Sequence, residues 1–201
     1  MTRRFLVLML TGLATMATAL TELEARSEPT GPAAFIESIG NDLLDVLRSP
    51  QADHEVRKAR LRDLFTRAFD VPAIGKFVLG RHWREATEAQ RQEYLKLFRE
   101  HVVDIYAQRF VDYSGETFEI VRERELGPND VSVQIEIVRP EGPPLLVEFR
   151  VTGKDDGMRI IDTVVEGVSL IVTKRDEFSA VVKREGVDGL IERLRQIIGA
   201  A

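Results

Sequence analysis

The sequence contains no cysteine, which excludes disulfide bonds, thiolate nucleophiles, zinc–thiolate sites and iron–sulfur clusters. It has only three histidines, and none belongs to a pair with metal-ligand spacing such as H-E-x-x-H. Basic residues are not in surplus, because 28 Lys and Arg stand against 33 Asp and Glu, for a formal charge of -5. We therefore expect no metal centre, no cofactor and no nucleic-acid partner.

Motifs for catalysis are also missing, since the chain has no P-loop, no G-x-G-x-x-G and no G-x-S-x-G. We predict that the protein is not an enzyme. Asp162 is the one titratable residue in an unusual place, in the middle of an apolar strand pattern. We expect it to face solvent or to take an arginine partner. The alternative is an enzyme in which Asp162 or Tyr106 acts on a sterol-like substrate in a pocket.

The first residues differ in kind from the rest of the chain. Arg3 and Arg4 precede an uncharged, mostly apolar stretch that ends in small residues at Ala19. This pattern predicts a signal peptide over residues 1–19, with a later cleavage candidate at Ala25. A membrane anchor is the alternative, but a spanning helix needs about 20 apolar residues, and this stretch is shorter. We expect export to the periplasm, a flexible segment over residues 20–31 and one domain over residues 32–201.

Apolar residues recur at helical spacing in the first half of the domain and at alternate positions after it. The predicted helices cover residues 32–48, 53–69, a short stretch from Val71 closed by Gly80, and 87–111. The predicted strands begin at residues 118, 131, 145 and 158, and the turn residues between them favour an antiparallel meander. Helical spacing returns after Gly167, with a break near Gly186. The order predicts an α+β fold, with helices on one face of a curved, mostly antiparallel four-stranded sheet.

Large apolar side chains are more numerous than a thin two-layer domain needs. They could form an ordinary core, and the protein would then be a periplasmic protein-binding module. Alternatively, they could line a cavity between the helices and the sheet. Composition alone favours the core. The residues concerned are Phe65, Phe69, Ile74, Phe77, Trp83, Phe98, Tyr106, Phe110 and Phe149.

Three segments resemble the MlaC family of periplasmic phospholipid-binding proteins, also known as toluene-tolerance proteins. Residues 80–91 are similar to the family's glycine-arginine-aromatic-tryptophan segment and its Thr-x-x-Gln helix start. Residues 165–178 resemble its second signature, and residues 186–191 resemble its C-terminal helix. One departure is Lys174, where the family pattern has an aromatic residue. The sequence around Lys174 is similar to that of family members whose genes accompany genes for hopanoid biosynthesis.

The resemblance implies a lipid carrier whose apolar cavity lies between sheet and helices. Its cargo would be a phospholipid or a hopanoid-like lipid. Its partners would be an inner-membrane ABC transporter complex and an outer-membrane lipoprotein complex, which together maintain the lipid asymmetry of the outer membrane. We expect it to act as a monomer. The long helix and the central strands should face each other across this cavity. The residues predicted to contact the lipid tails are Phe69, Ile74, Phe98, Val102, Ile105, Tyr106, Val133, Ile135, Val147 and Phe149.

The predicted signal peptide can be tested by sequencing the N-terminus of the protein recovered from the producing cells. We expect a soluble periplasmic protein that begins near Leu20 or, with the later cut, near Ser27. An intact Met1 in the membrane fraction would contradict the signal peptide and support the anchor.

Overall fold

The described part of the chain, residues 31–49, 53–109, 113–153 and 157–199 of a computed structural model, contains an antiparallel sheet flanked by helices. The helices are α1 (Pro32–Arg48), α2 (His54–Ala68), α3 (Val71–Leu79), α4 (His82–Glu85), α5 (Glu88–Arg109) and α6 (Leu170–Gly199). The strands are β1 (Thr117–Glu125), β2 (Asp130–Val138), β3 (Leu145–Thr152), β4 (Arg159–Val165) and β5 (Val168–Ser169). The predicted signal peptide and the segment that follows it, up to residue 30, lie outside the described residues.

The sheet is an open meander in the order β1-β2-β3-β4-β5, and every neighbouring pair is antiparallel. This arrangement confirms the predicted α+β fold. Val133 pairs with Phe149 and Ile135 pairs with Val147, so these side chains share one face of the sheet. The sequence pattern did not predict β5, because a strand of two residues is too short to show alternation.

Local capping chemistry sets the helix starts that the sequence predicted. The Asp70 carboxylate accepts a hydrogen bond from the backbone N–H of Ala73 at 3.0 Å, at the start of α3. Thr87 and Gln90 form a capping box before α5, since each backbone N–H donates to the other residue's side chain. The predicted break in α6 is also confirmed, because Gly186 has a φ of 72° inside the helix.

The apolar interior falls into two clusters. One joins α3, α5 and α6 around Tyr94, whose buried hydroxyl donates to the Gly75 carbonyl at 3.0 Å. The other lies between the inner face of the sheet and helices α1 and α2. Phe69, at the end of α2, packs against both clusters. In the described ranges, no helix combines the length and the apolar character that crossing a bilayer requires.

Asp162 anchors the start of α6 to β4. Its side chain is 1% exposed and accepts hydrogen bonds from the Ser169 hydroxyl at 2.8 Å and the Ile171 backbone N–H at 3.5 Å. The Arg150 guanidinium lies 3.7 Å away, so the expected arginine partner is present. A carboxylate at a helix N-terminus satisfies unpaired N–H groups and interacts favourably with the helix dipole. Asp162 therefore has a structural role in this fold.

Replacing Asp162 with alanine should destabilise the protein by about 1–3 kcal/mol, because the Ser169 hydroxyl and the Ile171 N–H lose their buried acceptor. Urea denaturation gives the free energy of unfolding. The control is Asp176→Ala, an exposed carboxylate on the same helix, which should change stability by less than about 0.5 kcal/mol. Equal losses in the two variants would contradict the anchoring role.

Candidate functional site

An apolar cavity with a volume of about 490 Å³, called the larger cavity below, lies between α1, α2 and the inner face of the sheet. Its wall is almost entirely hydrocarbon, with polar groups at one end. The residues of α1, α2 and the end of α2 in the lining are Ile36, Ile39, Gly40, Leu43, Leu44, Leu47, Leu61, Leu64, Phe65, Ala68 and Phe69, and α5 and α6 add Val103 and Leu170. The sheet contributes Thr117, Phe118, Ile135, Ile137, Leu145, Val147, Phe149, Ile160, Thr163 and Val165.

The smaller cavity, of about 190 Å³, lies between α3, α5, β4 and the first turns of α6. Most of its wall is apolar, but the α6 side carries charge. Lys174 and Glu177 line this side, and their side chains form an ion pair of 2.6 Å. The apolar lining is Phe65, Phe69, Val71, Ile74, Val78, Phe98, Val102, Ile105, Leu170 and Ile171.

Four residues line both cavities and so form the boundary between them: Phe65, Phe69, Thr163 and Leu170. The rings of Phe65 and Phe69 are stacked, with centroids 4.4 Å apart and planes inclined by 20°. Both rings are only partly buried, because each faces space on two sides. The aromatic pair therefore makes up most of the apolar wall between the two cavities.

The polar end of the larger cavity is formed by Tyr113, Glu116 and Arg139. The Arg139 guanidinium donates to the Pro143 carbonyl, with an Nε to oxygen distance of 2.8 Å. The Tyr113 hydroxyl donates to the Glu116 carbonyl and accepts from Arg48 Nε, both at 3.2 Å. Arg139 and Tyr113 thus have hydrogen-bond partners at the rim, and the interior wall is mostly hydrocarbon.

Two buried polar side chains of α5 lie on the flank of the smaller cavity's wall. Burial lowers the pKa of His101, and the nearby positive charge of Lys174 lowers it further. His101 is therefore neutral near pH 7. Asp104 is paired with Lys58 at 2.7 Å, which ties α5 to α2. The described residues contain no group of three His, Asp or Glu side chains that could hold a metal ion.

The ten predicted residues do not surround a single cavity. Phe69 lines both cavities. The larger cavity includes Ile135, Val147 and Phe149. The smaller cavity includes Ile74, Phe98, Val102 and Ile105. Val133 is fully buried and lines neither, and the side chain of Tyr106 lies outside the described part of the chain.

The expectation that α5 faces the central strands was wrong in one respect. Helix α2 contacts both α5 and the sheet and lies with the aromatic pair between them, so α5 lines the smaller cavity. Among the described side chains of α5, Val103 reaches the larger cavity. The prediction missed the contribution of α1. The sequence does carry a signal for it, because Leu43, Leu44 and Leu47 make the apolar stripe of α1 wider than packing on a single neighbour requires.

The comparisons with known proteins agree with this architecture. The sequence model of one family, described as "MlaC protein", matches residues 37–196. A Haemophilus influenzae protein described as an intermembrane phospholipid transport system binding protein, MlaC, is 25% identical over 175 residues, covering 83% of this chain and 82% of the relative. A solved structure of a phospholipid-binding protein from Ralstonia solanacearum, in complex with a phospholipid, superposes with a TM-score of 0.72 at 23% identity. That alignment covers 84% of this chain and 97% of the other.

Inserting a large side chain distinguishes the open cavity from the filled core. Leu43→Trp places the indole in the larger cavity, so the ligand-free protein should lose less than about 1 kcal/mol of stability. Val133→Trp inserts the same ring where no space exists and should cost about 1–3 kcal/mol or more. Denaturant unfolding of both ligand-free variants measures this difference. Similar losses would mean that the cavity beside Leu43 is closed in solution.

Proposed function

Because the chain belongs to the MlaC family, we propose that it is a periplasmic carrier that moves phospholipid between the outer and inner membranes for an ABC transport system. Its partners would be an inner-membrane ABC transporter complex and an outer-membrane lipoprotein complex. The Haemophilus influenzae relative, described as the binding protein of an intermembrane phospholipid transport system, supports this proposal.

The physical need for a carrier follows from the cost of exposing hydrocarbon to water. Each methylene moved into water costs about 0.8 kcal/mol. Two long acyl chains therefore cost on the order of 20 kcal/mol, which prevents unassisted crossing of an aqueous compartment. A carrier must cover the chains and can leave the polar head in water. The transfer needs no covalent step, so the proposal requires no catalytic residue and no cofactor.

The larger cavity is the observation that carries the proposal. Its interior wall consists mostly of Ile, Leu, Val and Phe side chains, with the polar Thr163 at the boundary and the charged residues Glu116 and Arg139 at the rim. Such a wall offers few hydrogen bonds, so it suits hydrocarbon chains and disfavours polar ligands. A hydroxylated or charged metabolite would leave its polar groups unpaired in this interior, at a cost of about 1–3 kcal/mol each.

The enzyme alternative loses its main candidate residue. The Asp162 carboxylate is engaged with Ser169 and the start of α6, so it already has partners and a structural role. The alternative of a protein-binding module, in which the apolar residues are only core, has no explanation for a cavity of about 490 Å³. The carrier accounts for both observations.

Tryptophan insertion tests the proposal directly. Wild-type protein purified without detergent should carry phospholipid in native mass spectra and should speed transfer of labelled phospholipid between vesicles. Leu43→Trp should reduce both bound lipid and transfer at least about tenfold, because the indole occupies space that the acyl chains need.

The matched control is Leu146→Trp, the same substitution on the exposed face of β3. Strand alternation directs Leu146 away from the cavity that Leu145 and Val147 line, so lipid binding should stay at the wild-type level. Wild-type protein without lipid and without transfer activity would overturn the proposal. A bound hopanoid-like lipid in place of phospholipid would overturn the cargo assignment and keep the carrier.

A further inference from the structure

The stacked pair Phe65 and Phe69 occupies a position that a simple lipid pocket does not need. The larger cavity has a complete apolar wall from α1, α2 and the sheet, yet it ends at two rings that have a second cavity behind them. The two rings contact each other face to face at 4.4 Å. Rotation of these two side chains would join the cavities without any movement of the sheet.

The backbone beneath the rings is fixed, so any opening here is a side-chain event. The Phe69 N–H donates to the Phe65 carbonyl at 2.9 Å, which closes the last turn of α2. Phe69 also bridges to Ile160 on β4, where the Asp70 N–H donates to the Ile160 carbonyl at 3.0 Å. The pair is therefore held in place by α2 and β4 while its rings border space on both sides.

The smaller cavity is mostly apolar and suits the end of a hydrocarbon chain. Ile74, Phe98 and Val102 line it. The charged residues Lys174 and Glu177 lie one and two turns beyond Leu170 along α6, and Leu170 is a boundary residue. Asp162 also lines this cavity, next to the boundary residue Thr163, but its carboxylate already accepts a hydrogen bond from Ser169. A chain that passed the rings would thus meet mostly apolar side chains.

We propose that Phe65 and Phe69 set the length of acyl chain that the protein accepts. Closed, the rings form the floor of the larger cavity and limit how deep a chain can lie. Opened, they admit the end of a longer chain to the smaller cavity. This inference rests on the proposed carrier function and adds a determinant of its specificity.

Competition between lipids of different chain length tests the inference. The protein is incubated with vesicles that contain equal amounts of dilauroyl, dimyristoyl, dipalmitoyl and distearoyl phosphatidylglycerol, and bound species are counted by native mass spectrometry. Phe65→Ala should raise the ratio of bound distearoyl to dilauroyl lipid at least about fourfold over wild type, the factor for one extra buried methylene. Phe65→Trp should lower that ratio.

The control is Phe77→Ala, which removes an exposed phenylalanine ring that lines neither cavity. It leaves both cavities and their boundary unchanged, so its ratio should stay close to wild type. Should Phe65→Ala fail to fold, Phe65→Leu keeps aliphatic bulk while removing the stacked ring. Phe65→Leu should then raise the ratio of bound distearoyl to dilauroyl lipid by the same factor.

The outcomes separate this inference from the proposed function. Wild-type protein that takes up no phosphatidylglycerol overturns both. Wild-type protein that takes up lipid, with the same ratio in the Phe65 variants and Phe77→Ala, overturns only the role of the aromatic pair. A higher ratio confined to Phe65→Ala or Phe65→Leu, with a lower one in Phe65→Trp, supports it.

Discussion

Keeping an apolar cavity open is the physical constraint on which the rest of this fold depends. Side chains that line an open cavity lack the packing partners that a filled core would give them, and the lost contacts reduce stability. The larger cavity, with a volume of about 490 Å³, therefore stabilises the fold less than a packed core of the same size would. The stability of the chain must therefore be generated away from the cavity, by elements that do not move when a ligand enters or leaves.

The cluster of α3, α5 and α6 meets this requirement. Phe178 makes edge contacts with Tyr94 and Phe98, with ring centroids 6.3 and 6.2 Å apart, and the Tyr94 hydroxyl ties α5 to the Gly75 carbonyl. The Asp162 carboxylate joins this cluster to the sheet through the start of α6. The sheet is thus fixed at its β4 side, whereas α1 and α2 pack over its inner face with the cavity between them.

Sequence reasoning could predict the elements because their signals are local. Capping at Thr87 and the break at Gly186 depend on a few neighbouring residues, and so does strand alternation. The site was harder to predict because its shape depends on the distance between layers, which no periodicity encodes. Val133 and Ile135 share a strand face and look alike in sequence, yet one is packed and the other borders the cavity. The division into two cavities depends on where the chain passes from the sheet layer to the helical cluster. That position is set by tertiary packing, which local sequence patterns do not encode.

Phe69 shows why the boundary lies where it does. The chain leaves α2 at this residue, pairs with Ile160 in a parallel bridge, and enters α3 two residues later. Strand β5 pairs with Val164 and Val165 of β4 and does not extend to Ile160. The bridge from Phe69 therefore pairs a part of the β4 edge that β5 leaves unpaired. A residue at such a crossing faces the sheet layer on one side and the helical cluster on the other. A large ring there is in contact with both cavities as a consequence of the topology, and Phe65, one turn earlier on α2, completes the wall.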